Sequence, residues 1–274
     1  MREGATRGFD FHLHTRSSDG YFSTAELLRM ASDVALAGIS ITDHDTVDAY
    51  RDPAASQAGG GPWLLQGVEV STRFDGEEMH VLGYFPAGAD GGVVKYLEGV
   101  IAGRNRRVAR GIVNLRERGL DISYEECARL ASGRIVSRSH MAQVLVAKRY
   151  VARPHSAYAD LLGSAVVPLP EDGAEDVIAE IGRLGGLSVW AHPDPRRFDE
   201  QVHRLVDAGL DGVEAFVPRL RPADRARMAA RARSLGLLVT GGSDWHGWPQ
   251  ARALGGFRVG ESDVAEFLAR IGRA

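Results

Sequence analysis

The chain has 274 residues, 44% of them hydrophobic and 25% charged, with a net charge of −3. That much apolar surface excludes a mainly disordered chain, and the length suits one large domain, such as a barrel near 250 residues, or two small ones. The charge balance excludes a polybasic coat for long duplex nucleic acid, and the lack of an 18-residue apolar run argues against a membrane span.

In chain order, short β-rich runs occupy residues 9–15, 38–43, 63–71, 80–85, 187–191, 212–217 and 237–241. Between the first two, residues 24–37 place Leu27, Leu28, Ala31, Val34 and Ala35 on one helical stripe, with Ser23 as its N-cap. Residues 175–184, 198–208 and 222–235 read as helices of the same kind. Strands alternating with helices predict parallel βα units, in an open doubly wound sheet or a barrel. One connection breaks the rhythm. About a hundred residues separate the fourth and fifth strands, and their helical segments are 93–118, 123–131, 139–148 and 155–162. Gly-rich residues 87–92 and proline-bearing residues 166–172 bound it. The expected organisation is a barrel in two parts, 8–86 and 171–274, with a helical insertion at 87–170 acting as a lid.

The stretch Met1–Asp10 shows no apolar segment of a secretory leader, so a cytoplasmic location is expected. Cys127 is the one cysteine, so any metal site must use His, Asp and Glu. It reads as a small buried hydrophobe. Lys95 and Lys148 are the only lysines, so most positive charge is arginine, which can bind phosphate bidentately.

The histidines cluster in a telling way. His12 and His14 sit two apart at the end of the first strand, so both rings face one side. His44 follows the second strand, His192 the fifth, and Asp244 and His246 the seventh. Glu69 lies inside an apolar strand, where an unpaired carboxylate is costly. Asp19 and His80 complete a set of six histidines and three carboxylates on the rim where βα folds place their chemistry. Crowded carboxylates need cations between them, and nine such donors can serve two or three divalent ions. Ligands of this type suit Mn²⁺, Zn²⁺ or Fe²⁺.

Taken together, Phe11-His12-Leu13-His14-Thr15, Ser18-Asp19-Gly20, Thr42-Asp43-His44-Asp45, Gly67-Val68-Glu69, His80-Val81-Leu82-Gly83, Ala191-His192-Pro193 and Ser243-Asp244-Trp245-His246-Gly247 resemble the motifs of the polymerase and histidinol phosphatase superfamily. The resemblance implies a distorted seven-stranded βα barrel and a trinuclear centre. His12, His14, Glu69 and Asp244 would hold one ion, and Asp19, His44 and His246 a second. His80 and His192 would hold a third, with Glu69 bridging. In the insertion, Ser137-Arg138-Ser139-His140-Met141-Ala142 resembles a Gly-Arg-Pro-His-Ile-Ala segment of the small-nucleotide phosphatase branch. Serines in the Gly and Pro positions alter the local backbone, which leaves substrate choice open. By that resemblance Arg138 and His140 would bind phosphate. Arg104, Arg107 and Arg110, spaced three apart on a helix, offer a second clamp, with Arg107 the leading candidate.

The implied activity is hydrolysis of a phosphomonoester by metal-bound hydroxide, with no protein nucleophile. The expected substrate is a small nucleotide of the 3′,5′-nucleoside bisphosphate type or a short 5′-phosphorylated oligoribonucleotide. Competing expectations are a histidinol-phosphate phosphatase and a non-catalytic metal-binding scaffold.

Overall fold

The computed structural model of the protein describes residues 8–56, 61–131, 134–249 and 252–273, so the first seven residues of the stretch read for a leader lie outside it. Eight strands form one sheet: β1 (Gly8–Leu13), β2 (Gly38–Ile41), β3 (Trp63–Phe74), β4 (Glu77–Phe85), β5 (Leu187–Trp190), β6 (Gly212–Phe216), β7 (Leu238–Gly241) and β8 (Val259–Gly260). Their order in the sheet is β7-β6-β5-β4-β3-β2-β1-β8. The helices are α1 (Thr24–Asp33), α2 (Pro53–Ser56), α3 (Gly91–Glu117), α4 (Tyr124–Leu130), α5 (Arg138–Ala147), α6 (Pro154–Asp160), α7 (Ala174–Arg183), α8 (Phe198–Asp207), α9 (Pro222–Ser234) and α10 (Ala265–Arg270). Among the described residues no helix is long and apolar enough to cross a membrane.

The seven runs read from the sequence are β1 to β7. Two expectations need correction. An eighth strand, β8, pairs antiparallel with β1. The sheet is also not uniformly parallel, because β4 runs antiparallel to both β3 and β5. A two-residue turn, Asp75-Gly76, joins β3 to β4, and both residues have positive φ. Such a turn matches the twist of a hairpin, and an Asp-Gly pair between two strands is its usual signal. The hairpin has a consequence for the rim. Because β4 enters from that end, its first residues, Glu78 and His80, stand beside Arg73 and Ser71 of β3.

Alternation along β3 and β4 divides the barrel from bottom to top. Leu65 and Glu69 lie on one face of β3, and Tyr84, Leu82 and His80 on one face of β4. The apolar members join Phe9, Phe11 and Val189 in one buried cluster, which α10 closes with Phe267. The Phe267 ring meets those of Phe11 and Tyr84 at 5.2 Å each. The polar members stand at the opposite end. On the other face, Val68, Val70 and Val81 pack under α7, α8 and α9 through Ile178, Val202 and Met228.

The sheet closes through the segment after β7. The Trp245 N–H donates to the His12 carbonyl, and the His14 N–H donates to the Trp245 carbonyl. That contact requires a glycine at 242, where a Cβ would stand 2.4 Å from the His12 Cβ.

The long insertion carries a core of its own. Val108, Ile112 and Leu115 of α3 pack with Cys127, Met141, Leu145 and Ala157. The first half of α3, through Val93, Leu97 and Val100, packs in the barrel's outer core instead. One helix of 27 residues, about 40 Å long, therefore runs through both.

Gly242→Ala forces the β1–β7 contact apart, so it is expected to lower stability by roughly 1–3 kcal/mol. Urea denaturation against the parent chain measures this, and an unchanged midpoint would show the closure to be slack.

Candidate active site

Glu69 is 1% exposed, at the polar end of the barrel. Five imidazoles turn towards its carboxylate. His12 Nε2 and His14 Nε2 lie 3.2 Å and His44 Nδ1 3.1 Å from Oε2. His80 Nδ1 and His192 Nε2 lie 2.8 Å and 3.1 Å from Oε1. Asp244 Oδ1 approaches His12 Nε2 at 3.4 Å and His14 Nε2 at 3.2 Å. His246 Nε2 stands 3.3 Å from Asp19 Oδ1, and its ring stacks on that of His14 at 4.0 Å.

This donor set fits divalent ions. His12 Nε2, both nitrogens of His14, His44 Nδ1 and Glu69 Oε2 are buried and have no hydrogen-bond partner, although they crowd together. Atoms that converge without bonding one another are aimed at a common point. Ligands around an ion at about 2.0–2.2 Å sit roughly 3–3.5 Å apart, the spacing seen here. Three overlapping groups are placed to hold an ion. One is His12, His14, Glu69 and Asp244; one is His14, Asp19, His44 and His246; one is His44, Glu69 and His80. His192, which is in none of these three groups, meets the same Glu69 oxygen as His80.

Electrostatics make the same case. Burial opposes charge on His12, but Glu214, Glu69 and Asp244 outweigh it and hold the ring's pKa well above its usual value. Burial likewise opposes charge on His80 and His246. Glu69 raises His80 to about 9, and Asp19 raises His246 to about 10. Burial would raise Glu69, yet His12, His44 and His80 hold it well below the carboxylate range. The carboxylates demand positive charge, which protons supply when ions do not.

A surrounding layer orients the donors. Glu214 Oε1 pairs with His12 Nδ1 at 3.0 Å, and its Oε2 accepts the His192 backbone N–H at 2.9 Å. Asp10 accepts from the N–H groups of His12 and Ser243, and burial pushes its pKa up to about 7. Asp43 ties Thr15 to Ser18, and Asp45 accepts the Ser71 N–H and pairs with the buried Arg104. Sequence reasoning gave none of these four carboxylates a role, although Asp43 and Asp45 stood in one of its motifs. Glu214 carried the signal that exposed Glu69, a carboxylate within an apolar strand. Asp45, His192 and Asp244 hold left-handed backbone at φ 57°, 35° and 53°. Residues other than glycine rarely adopt it, and it costs of order 1–3 kcal/mol each. The register of β1 slips between Asp10 and Leu13, and that of β6 and β7 between Glu214 and Phe216, which re-aims His12 and Glu214.

The insertion brings its arginines to the same rim. Arg107 Nη2 and Arg138 Nη2 grip opposite oxygens of Glu78 at 3.2 Å and 2.8 Å. Arg107 Nε and Nη1 are buried without a partner. The row of three arginines does not act as one face. Arg104 and Arg107 are buried against the barrel, whereas Arg110 is exposed. His140 is buried, and its Nδ1 accepts the Ser137 N–H at 3.0 Å, closing the N-cap of α5. Ser137 Oγ lies 3.4 Å from Asp19, so that N-terminus faces the cluster.

The chain is 32% identical to the 5′-3′ exoribonuclease Rnm of Salmonella typhimurium over 263 residues, 87% of this chain and 85% of that protein. It is 28% identical to the 3′,5′-nucleoside bisphosphate phosphatase of Chromobacterium violaceum over 265 residues, 93% and 91% of the two chains. A solved structure of a candidate metal-dependent phosphoesterase from Bifidobacterium adolescentis superposes with a TM-score of 0.83 at 30% identity, over 98% of both chains. No family model matches the chain. Site and relatives together define a metal-dependent phosphoesterase. The chain belongs to the polymerase and histidinol phosphatase superfamily, in the branch of nucleoside bisphosphate phosphatases and 5′-3′ exoribonucleases.

Two outcomes follow from the geometry. Glu214→Ala removes the acceptor that orients His12, so Mn²⁺ affinity should fall about 10–100-fold while the circular dichroism spectrum is kept; calorimetric titration measures it. Because His80 and His246 hold protons at neutral pH in the metal-free protein, metal binding must expel them. Affinity should therefore rise with pH from 6 towards 9. Titration in two buffers of different ionisation enthalpy counts the protons released, and a count of zero contradicts the assignment.

Proposed function

We propose that the protein hydrolyses a phosphate ester of a small nucleotide of the 3′,5′-nucleoside bisphosphate type, and that it trims short 5′-phosphorylated oligoribonucleotides by the same chemistry. The observation that carries this reading is the cluster of buried, unpartnered imidazole nitrogens gathered around the unpartnered Glu69 Oε2, with guanidinium groups at its rim. The named activities of the two relatives support the substrate class.

In this reading His12, His14, Glu69 and Asp244 hold one ion, Asp19, His44 and His246 a second, and His80 and His192 a third, with Glu69 shared. Mn²⁺, Zn²⁺ and Fe²⁺ all suit such donors. Divalent ions held this way acidify water for attack near neutral pH and offset charge on the phosphoryl oxygens. The chain's own groups do the rest. Arg138, which lines the cavity beside His80 and His192, and Arg107, which shares Glu78 with it, bind phosphate oxygens. The N-terminus of α5, with Ser137 and His140, adds a favourable dipole for an anion. Segment 87–170 serves as a lid that brings these groups over the rim. The location is cytoplasmic, in keeping with a single, buried, unpaired Cys127.

The test is phosphate release with Mn²⁺ from adenosine 3′,5′-bisphosphate, AMP, histidinol phosphate and a 5′-phosphorylated trinucleotide, with a chelator control. Chelator-sensitive turnover mainly of the bisphosphate is expected. Preference for histidinol phosphate overturns the substrate class. His14→Ala and Asp244→Ala should each cost more than the ~10–100-fold that loss of an outer carboxylate costs, with the fold retained. A folded variant with parental activity contradicts the ligand roles.

A further inference from the structure

Two cavities border the cluster, and they differ in chemistry. The first, of about 280 Å³, is walled by His80 and His192 and carries Arg138, Arg197 and Arg219. The second, of about 250 Å³, is walled by Asp244 and His246 and carries Trp248, Arg252 and Pro218. The loop between β6 and α9 separates them, giving Arg219 to the first and Pro218 to the second. A row of imidazoles leads from one to the other. Ring centroids lie 5.3 Å apart for His80 and His192, 5.8 Å for His192 and His12, 5.2 Å for His12 and His14, and 4.0 Å for His14 and His246. The cluster is therefore open on two sides, where a mononucleotide needs one.

We infer that the second cavity receives the nucleoside on the far side of the scissile phosphate in a short RNA strand, while the first receives the 5′-phosphorylated nucleoside that leaves. This rests on the nucleotide phosphoesterase reading above. Removing the 3′ phosphate of a bisphosphate and removing the first nucleotide of a strand break the same bond. Water oxygen bonds to phosphorus, the bond from phosphorus to the 3′ oxygen breaks, and a water proton passes to the departing 3′ oxygen. The substrates differ only beyond the phosphorus. The bisphosphate has bare oxygens there, and the strand has the 5′ oxygen of the next nucleoside.

The second cavity has the chemistry for that nucleoside. Trp248 is half-buried, and its ring meets that of Tyr21 edge-on at 6.0 Å. Tyr21 is 44% exposed, and its N–H donates to the His246 carbonyl at 2.7 Å, which ties this aromatic ledge to the cluster. Aromatic ledges stack any base, as trimming without sequence preference needs. Nearby, Arg225 donates to the Val217 and Pro218 carbonyls, and Arg252 contacts the Gly256 carbonyl. Neither has a carboxylate partner among the described residues; Arg252 lines the cavity and is available to a polyanion, whereas the Arg225 guanidinium lies over the Phe257 ring, 4.8 Å from its centroid. Each cavity is near the small end of ligand pockets, roughly 300–1,000 Å³, which suits one nucleoside of a single strand. In the first cavity Arg138 and Arg197 face Glu78 and Glu77, whereas Arg219 donates to the Pro193 carbonyl at 3.3 Å and stands ready for the 5′ phosphate.

The experiment compares kcat/KM for adenosine 3′,5′-bisphosphate and a 5′-phosphorylated trinucleotide, with Mn²⁺, in the parent chain, Trp248→Ala, Trp248→Phe and Arg252→Ala. Trp248→Ala should lower the trinucleotide value at least about tenfold more than the bisphosphate value, mainly through KM, and Trp248→Phe should restore most of it. Arg252→Ala should give a smaller selective loss that shrinks as salt rises. Equal losses on both substrates, or no loss on the trinucleotide, overturn the inference. A parent chain that cleaves the bisphosphate but not the trinucleotide overturns it while leaving the phosphatase reading intact. Turnover of neither overturns both.

Discussion

The Glu69 carboxylate is buried with five imidazoles turned towards it. An isolated charge taken out of water costs several kcal/mol, so this position is tolerable only with positive charge around it. The imidazoles supply that charge as protonated rings or as ligands of divalent ions. His12 and His14 are fully buried in turn, and further carboxylates orient some of the rings: Glu214 meets His12, Asp244 meets His12 and His14, and Glu78 meets His80. The cluster is therefore an interdependent set, and the rim is arranged to keep it together.

The barrel's architecture follows from that need. β3 runs twelve residues while β2 runs four, so the β3–β4 hairpin extends past the rim and carries Glu69 and His80 with it. The loop after β2 returns to Glu69 through paired backbone bonds at Asp43 and Asp45, which seats His44 opposite. Three left-handed residues, Asp45, His192 and Asp244, and the register slips beside His12 and Glu214 belong to the same end. The opposite end is a regular aromatic core of Phe9, Phe11, Tyr84 and Phe267. That core offsets strain held at the rim, the usual division between a scaffold and a site.

The helical segment is tied into this arrangement at several points. α3 packs first on the barrel and then within the segment, Arg104 of that helix bonds Asp45 and Ser71, and Arg134 pairs with Asp48. Arg107 and Arg138 meet at Glu78, directly beside His80. Positive charge is thus drawn to the rim from outside the barrel, where an anionic substrate would arrive.

By itself the sequence placed β1 to β7 and the helices α1 and α3 to α9 to within a few residues, missed β8, α2 and α10, and singled out the histidines and carboxylates that the fold gathers around Glu69. Both are local signals. Hydrophobic period sets an element, and a histidine or carboxylate at a strand end shows in a few residues. Tertiary structure decided the rest. The antiparallel course of β4 was announced only by Asp75-Gly76, a pair that many loops contain. Glu214 gained its part by standing beside His12, 202 residues away. Asp45 was committed to Arg104, and Glu78 to two arginines of the insertion, by convergence in space. The partner of a buried charge is fixed by what the folded chain brings within about 4 Å of it, and no local pattern encodes that distance.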